Sequence, residues 1–275
     1  MTPPPPPIAA TAGLVGDHLT VRYRAGQPPV LADQSIVIPV GRITAIIGPN
    51  GSGKSTLLKT LARQLLPEPG GVLLDGKDIA RMPRRQLARR LGILFQENVA
   101  PNDLTVEELV YHGRYPHRRL FESFEQEDHD AVEQALRLAG VAPLRHQWVG
   151  HLSAGQKQLA WIAMALAQAT DYLLLDEPTT FLDLAHQLEV MNLLRRLNRD
   201  LGKTLVLVLH DLNLSARYAD HIMAMKEGRI VATGSPQEAL TVQTLREVFD
   251  IEAQILYDTD GRIIACNPLR VVAEL

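Results

Sequence analysis

The sequence has little cysteine, no long apolar run and no marked excess of charge of either sign. Its single cysteine, Cys266, cannot form an intrachain disulfide or build a cysteine-rich metal site, so a reducing, cytoplasmic setting fits best. The longest apolar runs, such as residues 204–209, fall far short of the roughly 20 residues that a membrane span needs. The 28 basic residues are balanced by 31 acidic ones, which leaves no electrostatic footprint for nucleic acid.

The first 14 residues contain a proline run that predicts a disordered or polyproline tail. The first basic residue is Arg22, so the segment lacks the positive region of a targeting signal, and the prolines exclude an apolar helix. Overall, 46% hydrophobic and 21% charged residues are ordinary for a soluble globular protein. A role at a membrane would therefore need a partner that supplies the span.

Strand, loop and helix patterns alternate along the chain, which is typical of a largely parallel α/β sheet. Residues of about 97–168 are predicted to be mostly helical and to form an insertion between two halves of that sheet. Beyond residue 240, the segment 241–275 is predicted to be a helix followed by a hairpin. The remaining short apolar runs predict strands, within 18–23, 30–39, 42–48, 71–79, 172–176, 204–210 and 222–234.

A glycine-rich loop between a predicted strand and a predicted helix has the spacing GxxxxGK[ST] of a phosphate-binding loop. The glycines let successive N–H groups point inward as an anion nest, and the following helix adds the positive end of its dipole. Lys54 would reach the terminal phosphates and Ser55 would ligate Mg²⁺. A glycine-rich turn that happens to hold a lysine is the plain alternative, and kinases and GTPases also have this loop. The predicted ATP-binding residues here are Gly48, Pro49, Asn50, Gly51, Ser52, Gly53, Lys54, Ser55 and Thr56.

Two acidic residues, Asp176 and Glu177, lie at the end of the predicted apolar strand of residues 172–176. Asp176 would meet Mg²⁺ or one of its waters. Glu177, pointing the other way along the strand alternation, would polarise an attacking water. His210 closes a second apolar strand, where its imidazole would hydrogen-bond the γ-phosphate. The simpler alternative to these functional roles is that all three are solvated residues at the ends of strands.

The pentad LSAGQ, residues 152–156, precedes an apolar helical run in which Leu159 and Ile162 keep helical spacing. Ser153 is a good N-cap, so a capped helix is the simplest interpretation. Ala154 and Gly155 leave backbone N–H groups accessible, which makes this a second helix start suited to an anion. If two copies faced each other head to tail, this loop of one copy would complete the binding site for a triphosphate held in the phosphate loop of the other.

The ordered set GPNGSGKST, Gln96, LSAGQ, LLLDEP, Asp183 and His210 resembles the nucleotide-binding subunit of ATP-binding-cassette (ABC) transporters over residues of about 15–240. The resemblance implies a P-loop ABC cassette with a RecA-like core, an N-terminal antiparallel β-subdomain and a helical subdomain. It also implies ATP and Mg²⁺ as cofactors. In that family two subunits enclose two ATP molecules between them. The resemblance also implies that Lys54, Glu177 and His210 act in catalysis.

Further roles follow from the resemblance alone. Tyr23 would stack on adenine, and Gln96 would ligate Mg²⁺ together with Ser55 and Asp176. Contacts to ATP across the dimer would come from Ser153, Ala154, Gly155, Gln156 and Asp183. Two departures from the usual LSGGQRQR matter most, because Ala154 replaces glycine and Leu159 replaces arginine. The methyl group of Ala154 keeps its N–H, so we expect at most a modest weakening.

Residues 113–117, 160–168, 176–187 and 208–230 resemble the iron-chelate importer branch, which carries ferric siderophores, haem or cobalamin into bacteria. That resemblance implies a peripheral ATPase on the cytoplasmic face of the inner membrane. Its partners would be a second copy, permease subunits and, indirectly, an extracytoplasmic binding protein, with no nucleic acid.

Two other classes compete with this interpretation. A soluble ABC ATPase of DNA repair or ribosomes would have paired cassettes or long coiled coils, whereas this chain has one cassette and an ordinary helical insert. If the chain were a P-loop kinase or GTPase, LSAGQ and His210 would have no role. The basic stretch 81–90 is predicted to be a solvated amphipathic helix, since acids elsewhere balance its charge.

Overall fold

The computed structural model describes residues 13–24, 26–96, 98, 101, 103–118 and 123–272. The chain divides into two compact units, of which the first comprises residues 1–82 and 206–275 and the second residues 83–205. The strands are β1 (Leu14–Val21), β2 (Leu31–Ile38), β3 (Ile43–Ile47), β4 (Gly71–Leu74), β5 (Lys77–Asp78), β6 (Leu91–Leu94), β7 (Tyr172–Asp176), β8 (Thr204–Val208), β9 (His221–Lys226), β10 (Arg229–Gly234), β11 (Ile251–Tyr257) and β12 (Ile263–Val271). The helices are α1 (Lys54–Leu61), α2 (Arg84–Ala88), α3 (Val106–His112), α4 (Gln126–Leu138), α5 (Ala154–Ala167), α6 (Leu184–Leu201), α7 (Leu212–Tyr218), α8 (Pro236–Ala239) and α9 (Val242–Phe249).

The first unit contains an antiparallel sheet of order β2-β1-β4-β5. Leu14 lies opposite Ile38 on one side and Leu74 on the other, and all three are buried. Strand β3 belongs to a different sheet, where it pairs in parallel with β9, while β10 returns antiparallel to β9. Every residue of β3 is buried, as expected of a parallel strand covered on both faces.

The second unit combines a parallel strand pair with a group of helices. Strands β6 and β7 pair so that Leu91 lies opposite Tyr172. Helices α3 and α4 both contact α5. Arg114 and Asp128 form a buried ion pair with Nε to Oδ1 at 2.7 Å, and the Arg114 guanidinium also donates to the Ala167 carbonyl. These bonds tie the end of α3 to α4 and α5, which fixes the helix that follows LSAGQ.

The C-terminal part of the first unit consists of α9 and the hairpin β11–β12. Ala253, Ile263 and Cys266 turn toward the interior. The backbone N–H of Cys266 donates to the side-chain oxygen of Asn213 on α7 at 2.7 Å. The hairpin therefore packs on the helix that follows β8, in the segment predicted from sequence to be a helix and a hairpin.

The predicted α/β class is confirmed, with both antiparallel and parallel sheets present. The tail is predicted over residues 1–14, of which residues 1–12 lie outside the described residues. Leu14 already begins β1. The basic stretch 81–90 forms only a five-residue helix, α2, with Leu87 buried. Among the described residues, no helix has the length and apolar character needed to cross a membrane.

Candidate nucleotide-binding and hydrolysis site

The phosphate loop joins β3 to α1 in the first unit, and its glycines carry the backbone through left-handed conformations. Gly48, Gly51 and Gly53 have φ of 151°, 78° and 99°. A Cβ added at Gly48 would lie 2.2 Å from the Met225 carbonyl oxygen of β9, so no larger residue fits there. Gly53 forms the N-cap of α1 without a side-chain cap, and the first turn of α1 has no acidic residue. This helix start is therefore suited to an anionic ligand.

Lys54 lies inside the curve of this loop. It is only 5% exposed, and its Nζ donates to the carbonyl oxygens of Gly48 and Pro49, each at 2.9 Å. The buried Oγ of Ser52 has no hydrogen-bond partner within the described part of the chain. A buried polar atom without a partner is costly, and a phosphate oxygen would supply the missing bond. These residues therefore fit a bound triphosphate.

The other predicted members of the loop occupy its rim and the first turn of α1. Asn50 and Gly51 are exposed, Pro49 and Ser55 are half-buried, and Thr56 is buried. Tyr23 follows β1, and its hydroxyl lies 2.9 Å from the Oγ1 of Thr56. The Tyr23 residue is 56% exposed, so its ring is anchored at the loop and has a surface on which a base could stack.

His210 lies at the same edge of the first unit as the phosphate loop. The N–H of Leu209, just after β8, donates to the carbonyl oxygen of Ile46 near the end of β3 at 3.1 Å. The carboxyl ends of β8 and β3 therefore meet, and the exposed His210 follows directly. This position agrees with the predicted role of His210 next to a bound phosphate, and that role stays a prediction.

The two acidic residues of the second unit differ in backbone conformation. Asp176 is the last residue of β7 and is 4% exposed. Glu177 has a φ of 52°, in the left-handed region that side-chain-bearing residues rarely adopt. The expectation that strand alternation would separate the two side chains is therefore wrong, since the strand ends before Glu177. The strained backbone sets the direction of its carboxylate instead.

Two donors hold the Glu177 carboxylate. The Nε2 of Gln96 donates to Glu177 Oε2 at 2.7 Å, and the Thr180 hydroxyl donates to the same oxygen at 3.0 Å. Gln96 follows β6, whose parallel pairing with β7 brings the ends of the two strands together. The structure therefore gives Gln96 a contact with Glu177 that the sequence did not indicate, while its predicted Mg²⁺ ligation stays a prediction.

The LSAGQ loop begins α5 as the sequence predicts. Ser153 is the N-cap, and its Oγ accepts from the N–H of Gln156 at 3.2 Å, while the Gln156 side chain accepts from the N–H of Ser153 at 3.1 Å. This reciprocal pair is a capping box. Ser153 and Ala154 are both exposed. Leu159, which replaces the usual arginine, is buried and belongs to the apolar face of α5.

Asp183 is the N-cap of α6, and its Oδ1 accepts from the N–H of His186 at 2.9 Å. The Nδ1 of the His186 ring lies 2.8 Å from the same oxygen. The backbone bond and then the ring bond from His186 lower the pKa of the Asp183 carboxyl, so it stays ionised. Its contact to the second copy stays a prediction.

Each unit thus presents its own part of the chemistry. The first carries the phosphate loop, Tyr23 and His210, whereas the second carries Asp176, Glu177, Gln96, LSAGQ and Asp183. A mixed α/β fold with a glycine-rich loop between a buried strand and a helix defines a P-loop nucleotide-binding protein.

The comparison with protein families narrows this class. The model of the ABC transporter family matches residues 31–180, and the chain belongs to that family. It is similar to the ferric enterobactin transport ATP-binding protein FepC of Escherichia coli, with 48% identity over 95% of this chain and 94% of the relative. The iron(3+)-hydroxamate import ATP-binding protein FhuC of Bacillus subtilis is 46% identical over 88% of this chain and 89% of its own length. The chain is therefore an ATP-hydrolysing subunit of the ABC transporter family, and a soluble ABC ATPase is not favoured.

Solved structures agree with this placement. An ABC transporter of metal-chelate type, in an inward-facing conformation, has a TM-score of 0.80 and 27% identity over 94% of this chain and 97% of its own. The dimeric structure of a bacterial ABC transporter cassette has a TM-score of 0.72 and 28% identity, covering 81% of this chain and 98% of that one. Such similarity supports the cassette fold predicted from the motifs.

Proposed function

We propose that the chain powers the import of a ferric siderophore or a related iron chelate through a separate permease. It would bind the permease peripherally, on the cytoplasmic face of the inner membrane, and an extracytoplasmic binding protein would deliver the cargo. The observation that carries the proposal is the combination, in one chain, of the phosphate loop, a held Glu177 and the LSAGQ helix start. The iron-chelate cargo is supported by the names of the relatives FepC and FhuC.

We propose further that two copies assemble head to tail around two ATP molecules. The phosphate loop of one copy would hold the triphosphate of each ATP, and the LSAGQ loop of the second copy would cover its terminal phosphate. Both helix starts present backbone N–H groups suited to anions. The dimeric form of a similar bacterial cassette supports this assembly.

Mg²⁺ would be held by the hydroxyl of Ser55, with Asp176 and Gln96 supplying carboxylate and amide oxygens. Hard oxygen donors of this kind are the ligands that Mg²⁺ prefers, and its usual sites combine one or two carboxylates with substrate phosphates. When bound, the metal neutralises phosphate charge. Lys54 would add a positive charge at the same phosphates.

Glu177 is the general base in this proposal. Its carboxylate would take a proton from water as the water oxygen attacks the terminal phosphorus, while the bond from that phosphorus to the bridging oxygen breaks. The products are ADP and phosphate. Gln96 and Thr180 would keep the carboxylate in place, because both donate to one of its oxygens. His210 would hydrogen-bond the terminal phosphate as charge moves onto the leaving group.

Ser153→Arg tests the covering role of the LSAGQ loop. We expect kcat for ATP hydrolysis to fall at least about tenfold, because a bulky cation replaces a hydroxyl where the second copy must approach. ATP binding to the single chain should be unchanged, as measured by nucleotide titration.

Ser235→Arg is the matched control, since Ser235 caps α8 through the same capping-box geometry with Glu238. Both changes remove a cap, but only the one at Ser153 should stop turnover. Normal hydrolysis by Ser153→Arg would rule out the covering role.

The cargo is tested with the chain co-purified with its permease in vesicles and the binding protein added. Ferric enterobactin, a ferric hydroxamate, haemin and cobalamin serve as probes. We expect ATP-dependent uptake of at least one of the three iron compounds, and no uptake when Glu177→Gln replaces the native chain. Uptake of cobalamin alone would contradict the iron-chelate assignment.

A further inference from the structure

Gly155 of the LSAGQ loop is buried against the ring of His186, at the start of α6. An ideal Cβ built on Gly155 would lie 2.2 Å from the ring Cδ2, 2.5 Å from Cγ and 2.8 Å from Nε2. Packed carbon atoms do not approach so closely, so any side chain at position 155 must displace the ring. The ring therefore occupies the space that a side chain at position 155 would need.

The His186 ring is itself fixed. Its Nδ1 bonds Asp183 Oδ1 at 2.8 Å, and the backbone N–H of His186 donates to the same oxygen at 2.9 Å. Because Cγ is among the atoms close to Gly155, turning the ring about the Cβ–Cγ bond does not relieve the clash, and the side chain has to rotate about the Cα–Cβ bond. Such a rotation would break the bond to Asp183. The ring thus joins the LSAGQ loop on one side to residues 177–183, which precede α6 and are called here the Asp183 loop, on the other.

The neighbouring Ala154 differs from Gly155 in its exposure to solvent. It is exposed, and a methyl group is already present there, whereas the buried Gly155 has none. Of the two residues between Ser153 and Gln156, Gly155 lies against the His186 ring and Ala154 is exposed. The departure from glycine at position 154 is therefore compatible with the packing, and the same change at position 155 is not.

We propose that His186 is a positioning residue that fixes the LSAGQ loop against the Asp183 loop, so that both present their groups to the second copy in one geometry. This inference rests on the proposed function, because it assumes that both loops act across a dimer. His186 touches neither nucleotide nor water in this proposal. It acts through Gly155 and Asp183.

The test combines Gly155→Ala, His186→Ala and the double variant, measured as kcat and KM for ATP hydrolysis by the full chain. Gly155→Ala should lower kcat about tenfold, and His186→Ala about threefold, because the loop loses its fixed position. The double variant should be faster than Gly155→Ala alone, since removing the ring makes room for the new methyl group. The affinity of the single chain for ATP should change less than twofold in all three, because the phosphate loop is untouched.

His186→Asn is the conservative variant, since its amide can still donate to Asp183, and it should retain more activity than His186→Ala. This comparison carries the test by itself if Gly155→Ala does not fold. His146→Ala is the matched control, because His146 lies in the same unit and is exposed. It should leave kcat unchanged.

The results separate this inference from the proposed function. Suppose that Ser153→Arg stops turnover. The positioning role of His186 is then wrong if the double variant has no higher kcat than Gly155→Ala, or if His186→Asn has no higher kcat than His186→Ala. If Ser153→Arg hydrolyses ATP normally, the head-to-tail assembly itself is wrong. A fall in melting temperature and in ATP affinity that matches the fall in kcat would mean a merely structural role for His186, and would also overturn the inference.

Discussion

Replacing Glu177 with glutamine is expected to lower kcat for ATP hydrolysis by a factor of about 10²–10⁴, the usual range for the loss of a general base. Glutamine keeps the size of the side chain and can still meet the Thr180 hydroxyl, but it cannot take a proton from water. ATP should stay bound, so the variant should accumulate as an ATP-loaded dimer. Single-turnover kinetics and size-exclusion chromatography with ATP and Mg²⁺ measure both effects.

Glu189→Gln is the matched control, because Glu189 is exposed on α6 in the same unit. It makes the same chemical change away from Glu177 and should hydrolyse ATP at the native rate. Normal turnover by Glu177→Gln would remove Glu177 as the base that activates water. A variant that loses ATP binding as well would mean that Glu177 acts chiefly in binding.

Lys54→Ala is expected to weaken ATP binding about 100-fold. The loss follows from removing charge-assisted hydrogen bonds to phosphate from a buried ammonium group. It also removes the bonds from Nζ to the carbonyl oxygens of Gly48 and Pro49, which hold the loop curved. Equilibrium titration with ATP, followed by ADP for comparison, measures the change.

Lys59→Ala serves as the control for Lys54→Ala, since Lys59 lies on the same helix, in its last turn. Its removal takes away an equal charge without touching the loop, so ATP affinity should stay within about twofold of the native value. An unchanged affinity in Lys54→Ala would contradict the assignment of the phosphate loop.

Features that depend on a few neighbouring residues could be predicted from the sequence. The phosphate loop needs glycines where the backbone turns left-handed, and the structure has φ of 78° and 99° at Gly51 and Gly53. The N-cap at Ser153 needs only the next three residues, and it is confirmed. The turn at Glu227 and Gly228 between β9 and β10 is equally local. In each case the chemistry that fixes the conformation lies within the motif itself.

Features that depend on distant contacts could not be predicted. Strand β6 has only four residues, and it directly follows the basic stretch 81–90. Its pairing with β7 decides its conformation. The bond from Gln96 to Glu177 follows from that pairing, because the pairing brings the ends of the two strands together. The contact of His186 with Gly155 joins residues that are far apart in the chain, so no spacing in the sequence indicates it.

Helix boundaries show a related limit. The apolar spacing of residues 55–66 predicts one continuous helix, but α1 ends at Leu61. Arg63 adopts a left-handed conformation with a φ of 57°, and the N–H groups of Gln64 and Leu65 both bond the carbonyl of Lys59. The chain therefore closes the helix with a turn that the apolar pattern does not encode.

The central claim is that the terminal phosphate of ATP is enclosed by two chains and not by one. The most direct measurement is the structure of the Glu177→Gln variant with ATP and Mg²⁺. We expect two copies, with each terminal phosphate contacted by Lys54 of one copy and by the Ser153 loop of the other. A terminal phosphate enclosed entirely by a single chain would contradict the account.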